Sequence, residues 1–399
     1  MRKLKLGVAG LGRAFTVMLP TLARHPRIEV VAGADPRADA RLRFAADFGA
    51  SAYASVEELC DDAAVEAVYV ATPHEQHARH ACMAAARRKH VLVEKPMALA
   101  LQDCRAMIEA ARSGGVHLIV GHSHSFDAPI RRAREIVESG AVGSVRMISA
   151  LNFTDFMYRP RRPEELRTES GGGVLFNQAA HQIDVVRLLG GGRVRSVRAA
   201  TGSWDSARPT EGAYSALLTF ADGACASVVY SGYGHFDSDE FCGWVGELGR
   251  RKDPDSYGSA RRLLQRVATA GEETALKNAR AYGGPEYTAQ DVAAAGAEPT
   301  WHQHFGLVLV TCERADLRPL PSGVMIYEDL ARRFDPLPAP DVPRAEVIDE
   351  LYAAAVLDRA PLHTGEWALA TTEVCLAMLR SGREQREVFL EHQTGVGER

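Results

Sequence analysis

The sequence predicts an α/β protein of two domains, and three observations carry that prediction. Short β-prone runs alternate with helical stretches through the first 120 residues, a pattern that builds a parallel sheet with right-handed crossovers. A glycine-rich turn joins the first strand to the first helix. The chain of 399 residues is too long for one ordinary core and suits two. The expected division is residues 1–125 and residues 126–399.

The elements follow in order. Residues 4–9 are short and β-compatible and run straight into Gly10-Leu11-Gly12. A helix is expected over 13–24 and a second strand over 28–34, ending at Asp35. Residues 40–48 read as a helix stopped by Gly49. The continuous apolar run 67–71 is a buried strand, and Thr72-Pro73 opens a helix reaching about Lys89. A strand at 90–93 closes on Glu94-Lys95-Pro96, and a helix over 101–112 leads through Gly114-Gly115 to a strand at 116–120.

Composition excludes several classes of function. Hydrophobic residues make up 46% and charged residues 25%, the mixture of a soluble globular protein. Forty-seven Lys and Arg against 51 Asp and Glu leave a net charge of −4, which gives no general attraction to nucleic acid or anionic lipid. No apolar run approaches the ~20 residues that cross a bilayer. The basic start is interrupted by Gly10, Gly12 and Arg13, with no signal-peptide cleavage site after it. Seven scattered cysteines (60, 82, 104, 225, 242, 312 and 375) form no Cys-x-x-Cys and read as reduced thiols. The expectation is a cytoplasmic protein.

The glycine turn points to a dinucleotide. A pyrophosphate binds where a tight strand-to-helix turn lets it approach helical N–H groups. Gly10 and Gly12 meet that demand, and Arg13 and Ala14 open the helix. Phe15 stands where the fingerprint G-x-G-x-x-G/A has a small residue, so helix and strand are expected farther apart there. Asp35 ends the second strand, where a carboxylate accepts hydrogen bonds from the adenosine ribose and repels a 2′-phosphate. NAD is therefore preferred, while Arg37 and Arg41 lie close enough to leave NADP open.

Three further motifs resemble the Gfo/Idh/MocA oxidoreductases. They are Thr72-Pro73-His74-Glu75-Gln76-His77, then residues 91–96 ending in Glu94-Lys95-Pro96, then residues 171–184 with Asn177 and His181. The resemblance implies an N-terminal Rossmann dinucleotide-binding domain plus a C-terminal α/β domain with a large, mostly antiparallel sheet. It also implies that this sheet serves a homo-oligomer, a dimer or tetramer, and that substrates are sugars, cyclitols or related cyclic alcohols. Thr72, Pro73, His77, Glu94 and Lys95 would then line the cofactor.

Lys95 is the expected base. Alcohol oxidation needs a group to take the hydroxyl proton while hydride leaves the carbon, and a lysine whose pKa is lowered can do so. His181 matches the family's active-site histidine. Many members carry Asp four residues earlier, where this chain has Asn177. On an α-helix the two share a face, so they can bind one substrate, yet Asn177 takes no proton.

His122 and His124 follow the last strand of the first array, at the end that faces a ligand in open α/β sheets, and are expected in the substrate pocket. No third ligand accompanies them, so no metal is expected there, nor at His74, His77 and His80. His302 and His304 form another pair with no assigned role.

Residues 152–166 join aromatics to Arg159, Arg161 and Arg162. Guanidinium forks suit planar carboxylates, so a carboxylated substrate is one reading and a solvated loop is the other. This stretch, with residues 179–184, 363–367 and 373–379, also resembles the family's dihydroxyphthalate dehydrogenase branch, which oxidises a cis-dihydrodiol of phthalate with a nicotinamide cofactor. Residues 214–220 and 224–230 read as a hairpin across Ala221-Asp222-Gly223. Residues 249–300 read as an irregular excursion, 306–312 as a late strand, and 344–357 and 367–380 as helices. The expected function is hydride transfer from a carboxylated cis-dihydrodiol to NAD. A sugar or cyclitol dehydrogenase and a non-catalytic nicotinamide-binding sensor are the alternatives.

Overall fold

A computed structural model describes residues 2–287 and 301–398. The chain forms two compact units that do not follow one cut in the sequence. The first is Met1–His122, Ala275–Glu298 and Val342–Leu369; the second is Ser123–Thr274, Pro299–Asp341 and Ala370–Arg399.

The first unit is built on a six-stranded parallel sheet. Its strands are β1 (Leu4–Ala9), β2 (Ile28–Ala34), β3 (Ser51–Tyr53), β4 (Ala67–Val70), β5 (His90–Val93) and β6 (Leu118–Val120), in the order β3-β2-β1-β4-β5-β6. Residues 67–70 are buried on both faces, which is why that run is apolar without alternation. The helix Ala38–Phe48 ends at Gly49 in the left-handed conformation, φ 60°. Ser55 and Glu58 form a reciprocal capping box at the next helix, Val56–Asp61.

The helix expected to run from 73 to Lys89 begins instead as a 3₁₀ turn, His74–Gln76, and is α-helical over His77–Ala86. The strand expected at 116–120 pairs only over Leu118–Val120.

Phe15 lies in the first turn of the helix Arg13–Arg24. It is fully buried and anchors an aromatic cluster with Phe44 (6.0 Å), Phe48 (6.3 Å) and, edge-on, Tyr282 (4.9 Å). Tyr282 also donates its hydroxyl to Asp47 at 2.7 Å. The excursion after residue 249 thus completes the core of the first unit. It is less irregular than expected, with helices at Ser259–Leu264 and Ala270–Ala279. Its stretch 288–300 lies outside the described residues.

The second unit holds a nine-stranded sheet. Its strands are β7 (Val145–Phe153), β8 (Val194–Gly202), β9 (Ala213–Phe220), β10 (Cys225–Ser231), β11 (Leu307–Cys312), β12 (Ala315–Leu320), β13 (Gly323–Glu328), β14 (Arg332–Pro336) and β15 (Val388–Phe389). Their order is β14-β13-β12-β11-β7-β10-β9-β8-β15. The β10–β7 pair is parallel, and the other described pairs are antiparallel. The expected hairpin is β9–β10, with Thr219 opposite Cys225. Along β7, Ile148 and Ala150 are buried while Met147 is 44% exposed, so one face is covered and the other open. Among the described residues no helix is long and apolar enough to cross a membrane.

Candidate active site

Each unit carries its own cluster of functional side chains. In the first unit they lie at the ends of strands β1, β2, β4 and β5, where an open parallel sheet presents its ligand crevice. Gly10 has φ 92°, and a Cβ there would sit 2.8 Å from the Ala71 carbonyl oxygen, so only glycine fits. A Cβ at Gly12 would meet nothing within 4 Å. Gly12 is the N-cap of the helix Arg13–Arg24 and makes no side-chain cap, which leaves that terminus suited to an anion. A closed turn at Gly10 beside open space at Gly12 fits a dinucleotide pyrophosphate.

Asp35 is buried and accepts the Leu11 N–H at 2.8 Å and the Arg37 N–H at 2.9 Å. The Arg37 guanidinium also donates to Asp35 (3.1 Å) and to the Leu11 carbonyl (2.8 Å). Arg41 caps the Asp35 and Pro36 carbonyls, each at 2.8 Å. Both arginines therefore lie against Asp35, with Arg37 paired to its carboxylate.

His77 is fully buried, with its ring nitrogens 2.9 Å from the carbonyl oxygens of Thr72 and Pro96. Burial pushes its pKa down. It ties the segment after β4 to the segment after β5 through the backbone, rather than offering a nitrogen to a cofactor. His80 meets the Thr72 hydroxyl at 3.0 Å, and burial lowers it to about 4. Glu94 is buried and accepts the Tyr69 hydroxyl at 2.5 Å. Burial raises its carboxyl, while the Lys95 ammonium pulls the other way. Lys95 is half-buried and precedes a cis bond to Pro96; a second cis bond joins Gly121 to buried His122.

In the second unit, His124 and His181 come together with ring centroids 4.8 Å apart. Phe305 lies 5.2 Å from each, and Tyr230 stacks on Phe305 at 6.0 Å. Asp127 binds Nδ1 of His124 at 2.7 Å. A carboxylate only accepts, so Nδ1 carries the proton in this contact.

Asn177 and His181 do not stand on one regular α-helix. Residues Leu175–Ala179 form a π turn before the helix Ala180–Leu189, and the wider turn changes the angle between the two positions. Asn177 uses its amide to hold the Gly171 (3.1 Å) and Gly173 (2.8 Å) carbonyls.

The three arginines divide. Arg162 is turned to Glu164 (3.3 Å) and Glu165 (3.6 Å). Arg161 lies over the Phe156 ring at 3.7 Å and donates to the Phe156 carbonyl at 2.7 Å. Arg159 lies 5.7 Å from that ring, is half-exposed, and meets Asp155 at 3.3 Å. Arg159 and Arg161 thus both approach one aromatic ring, while Arg162 closes a local turn. The electrostatics of Tyr230 register both Arg159 and Arg161, whose charges partly offset the rise that burial imposes on its hydroxyl.

His302 and His304 are structural. His302 meets the Pro338 carbonyl at 2.8 Å. His304 accepts the Gly306 N–H through Nδ1 (3.1 Å) and meets the Val245 carbonyl through Nε2 (2.6 Å). The sequence reading missed Phe305 and Tyr230, which carry no motif. It also gave no role to Asp127, although His-x-x-Asp spacing was a usable signal.

Comparison with known proteins fits this geometry. Residues 4–122 match a family described as oxidoreductases with an NAD-binding Rossmann fold, and residues 130–250 match the GFO/IDH/MocA C-terminal domain. The chain is 47% identical, over 96% of both proteins, to a 1-carboxy-3-chloro-3,4-dihydroxycyclohexa-1,5-diene dehydrogenase of Comamonas testosteroni. A crystal structure described as a dehydrogenase from Bordetella bronchiseptica RB50 superposes with TM-score 0.90 at 43% identity, covering 97% of this chain and all of that one. The WlbA dehydrogenase of Bordetella pertussis, solved with NADH and UDP-GlcNAcA, shares the fold at TM-score 0.69 and 21% identity, over 98% and 99% of the two chains.

Proposed function

Because the chain belongs to the Gfo/Idh/MocA oxidoreductase family, we propose that it oxidises a carboxylated cyclic cis-dihydrodiol, such as the 4,5-cis-dihydrodiol of phthalate, with NAD as the electron acceptor. The observation that carries this reading is the 47% identity, over 96% of both chains, to a dehydrogenase of a carboxylated dihydroxycyclohexadiene. The guanidinium pair of Arg159 and Arg161 beside Phe156 supports it, since such forks hold a planar carboxylate by paired hydrogen bonds.

A nicotinamide dinucleotide would be held by the Gly10–Gly12 turn and Asp35 of the first unit and would supply the acceptor for the hydride of the carbinol carbon. Lys95 accepts the hydroxyl proton, and His181 and His124 orient the diol. Asn177 keeps the 171–173 loop in place through its two carbonyl contacts. Oxidation of one carbinol of a cyclohexadiene diol gives a ketone that enolises to a catechol, and aromatisation pulls the step forward. Asp35 favours NAD over NADP by opposing a 2′-phosphate, an opposition that the paired Arg37 guanidinium partly offsets. The protein works in the cytoplasm as a homo-oligomer joined through the open face of the nine-stranded sheet, where Met147, Leu217 and Phe334 are exposed.

The test is NAD reduction by the purified protein with the 4,5-cis-dihydrodiol of phthalate, a monocarboxylated cis-dihydrodiol, myo-inositol and glucose. Turnover confined to the carboxylated diols is the expected result. Turnover confined to inositol or glucose contradicts the reading.

A further inference from the structure

We propose that Asp184 is a positioning residue that fixes His124 against His181. Asp184 is buried, one turn beyond His181 on the helix Ala180–Leu189. Its Oδ2 accepts the hydroxyls of Ser123 (2.5 Å) and Ser125, the two residues that flank His124. Its Oδ1 accepts the Thr371 hydroxyl at 2.9 Å. The oxygen of Thr371 in turn accepts from the guanidinium of Arg187 at 2.7 Å. Arg187 is fully buried and also donates to the carbonyls of Gly192 (3.1 Å) and Thr394 (3.3 Å). One carboxylate therefore fastens both neighbours of one imidazole to the helix that carries the other, and the rings meet at 4.8 Å.

The charge matters as well as the shape. An asparagine could still accept both serine hydroxyls through its oxygen. Its NH2 would then face Thr371, whose hydroxyl proton would lose its acceptor, while buried Arg187 would keep Glu373 but lose the carboxylate of Asp184 from its surroundings. Breaking one member of a buried charged network leaves the rest unsatisfied. The cost falls on the 123–125 turn, and through it on the angle between the two histidines.

This inference rests on the placing of His124 and His181 at the substrate, so its test separates the two. The substrate is whichever cyclic alcohol the wild-type protein oxidises. Asp184→Asn, confirmed folded by its melting curve, is expected to lose about 100-fold in kcat, because ångström-scale misplacement costs that order of rate. KM and the Kd for NADH should stay within about twofold, since uniform binding is untouched. Thr371→Ser keeps the hydroxyl and should restore near wild-type kcat, whereas Thr371→Val should lose roughly tenfold.

A folded Asp184→Asn with kcat within about twofold of wild type overturns the proposal, as does a kcat loss matched by an equal loss of NADH affinity. If Asp184→Asn does not fold, Ser125→Ala decides: wild-type kcat in that variant overturns it. If the wild type oxidises no cyclic alcohol, the functional reading fails while positioning remains testable by NMR. The imidazole signals of His124 and His181 should then shift in Asp184→Asn and hold in Thr371→Ser. Unshifted signals in Asp184→Asn overturn it.

Discussion

The two units build their functional clusters by opposite means. In the first, the key groups stand within a few residues of a strand end and are held by backbone: Gly10 under the Ala71 carbonyl, and His77 between the Thr72 and Pro96 carbonyls. In the second, side chains hold side chains across long stretches of sequence. Asp184 reaches Ser123 and Thr371, Glu273 receives Arg208 at 2.7 Å and the Arg161 N–H at 2.6 Å, and Phe305 packs on His124 and His181. A half that holds an invariant cofactor can be written in short motifs. A half that chooses a substrate is free to assemble from anywhere in the chain, and its signature is spread accordingly.

The largest effect separates chemistry from binding within the first unit. Lys95→Ala should lower kcat by roughly 10³-fold, the order that a positioned base contributes, with the NAD Kd changed by less than about twofold. Isothermal titration beside steady-state rates checks it, and equal turnover removes Lys95 from the mechanism.

The two glycines give the next contrast. Gly10→Ala forces a positive φ and a 2.8 Å approach on a side chain, so it should destabilise by about 1–3 kcal/mol. Gly12→Ala meets no protein atom within 4 Å, so its melting temperature should hold while NAD affinity falls. Thermal melts with and without NAD distinguish the two.

Arg162→Leu should leave the KM of a carboxylated diol unchanged and cost at most about 1 kcal/mol of stability, since its partners form an exposed ion pair. A raised KM would return Arg162 to the substrate.

Glu94→Gln should have the smallest effect. Its Oε1 can still accept the Tyr69 hydroxyl. Burial raises the Glu94 carboxyl above its ordinary 4.5, so the native state binds this proton more tightly than the unfolded chain. Its contribution is fully present below 4.5 and is lost as pH rises through the raised value. Stability of Glu94→Gln measured from pH 4 to pH 8 should lack that share of the decline.

Legibility in the sequence followed the same divide. The turn at Gly10 and Gly12 and the strand end at Asp35 were legible because each answers a local backbone requirement. The aromatic cluster around Phe15 could not be read locally, because its partner Tyr282 is remote in sequence. The helix Ala270–Ala279 was overlooked for want of an apolar stripe, although Thr269 and Glu272 form a capping box: the Glu272 N–H donates to Thr269 at 3.2 Å and the Thr269 N–H to Glu272 at 3.1 Å. The π turn at Leu175–Ala179 left no periodicity signal in the sequence. Arg159, Arg161 and Arg162 looked equivalent in sequence, and only their tertiary partners tell them apart.

The most direct test of substrate recognition compares a carboxylated cis-dihydrodiol with its carboxamide isostere, in the wild type and in Arg159→Leu. The account predicts that the substitution lowers kcat/KM for the carboxylate by roughly 10–100-fold, the value of a charge-assisted hydrogen bond, and leaves the carboxamide nearly unchanged. An equal fall for both substrates would contradict it, and would assign Arg159 to the packing of its own loop.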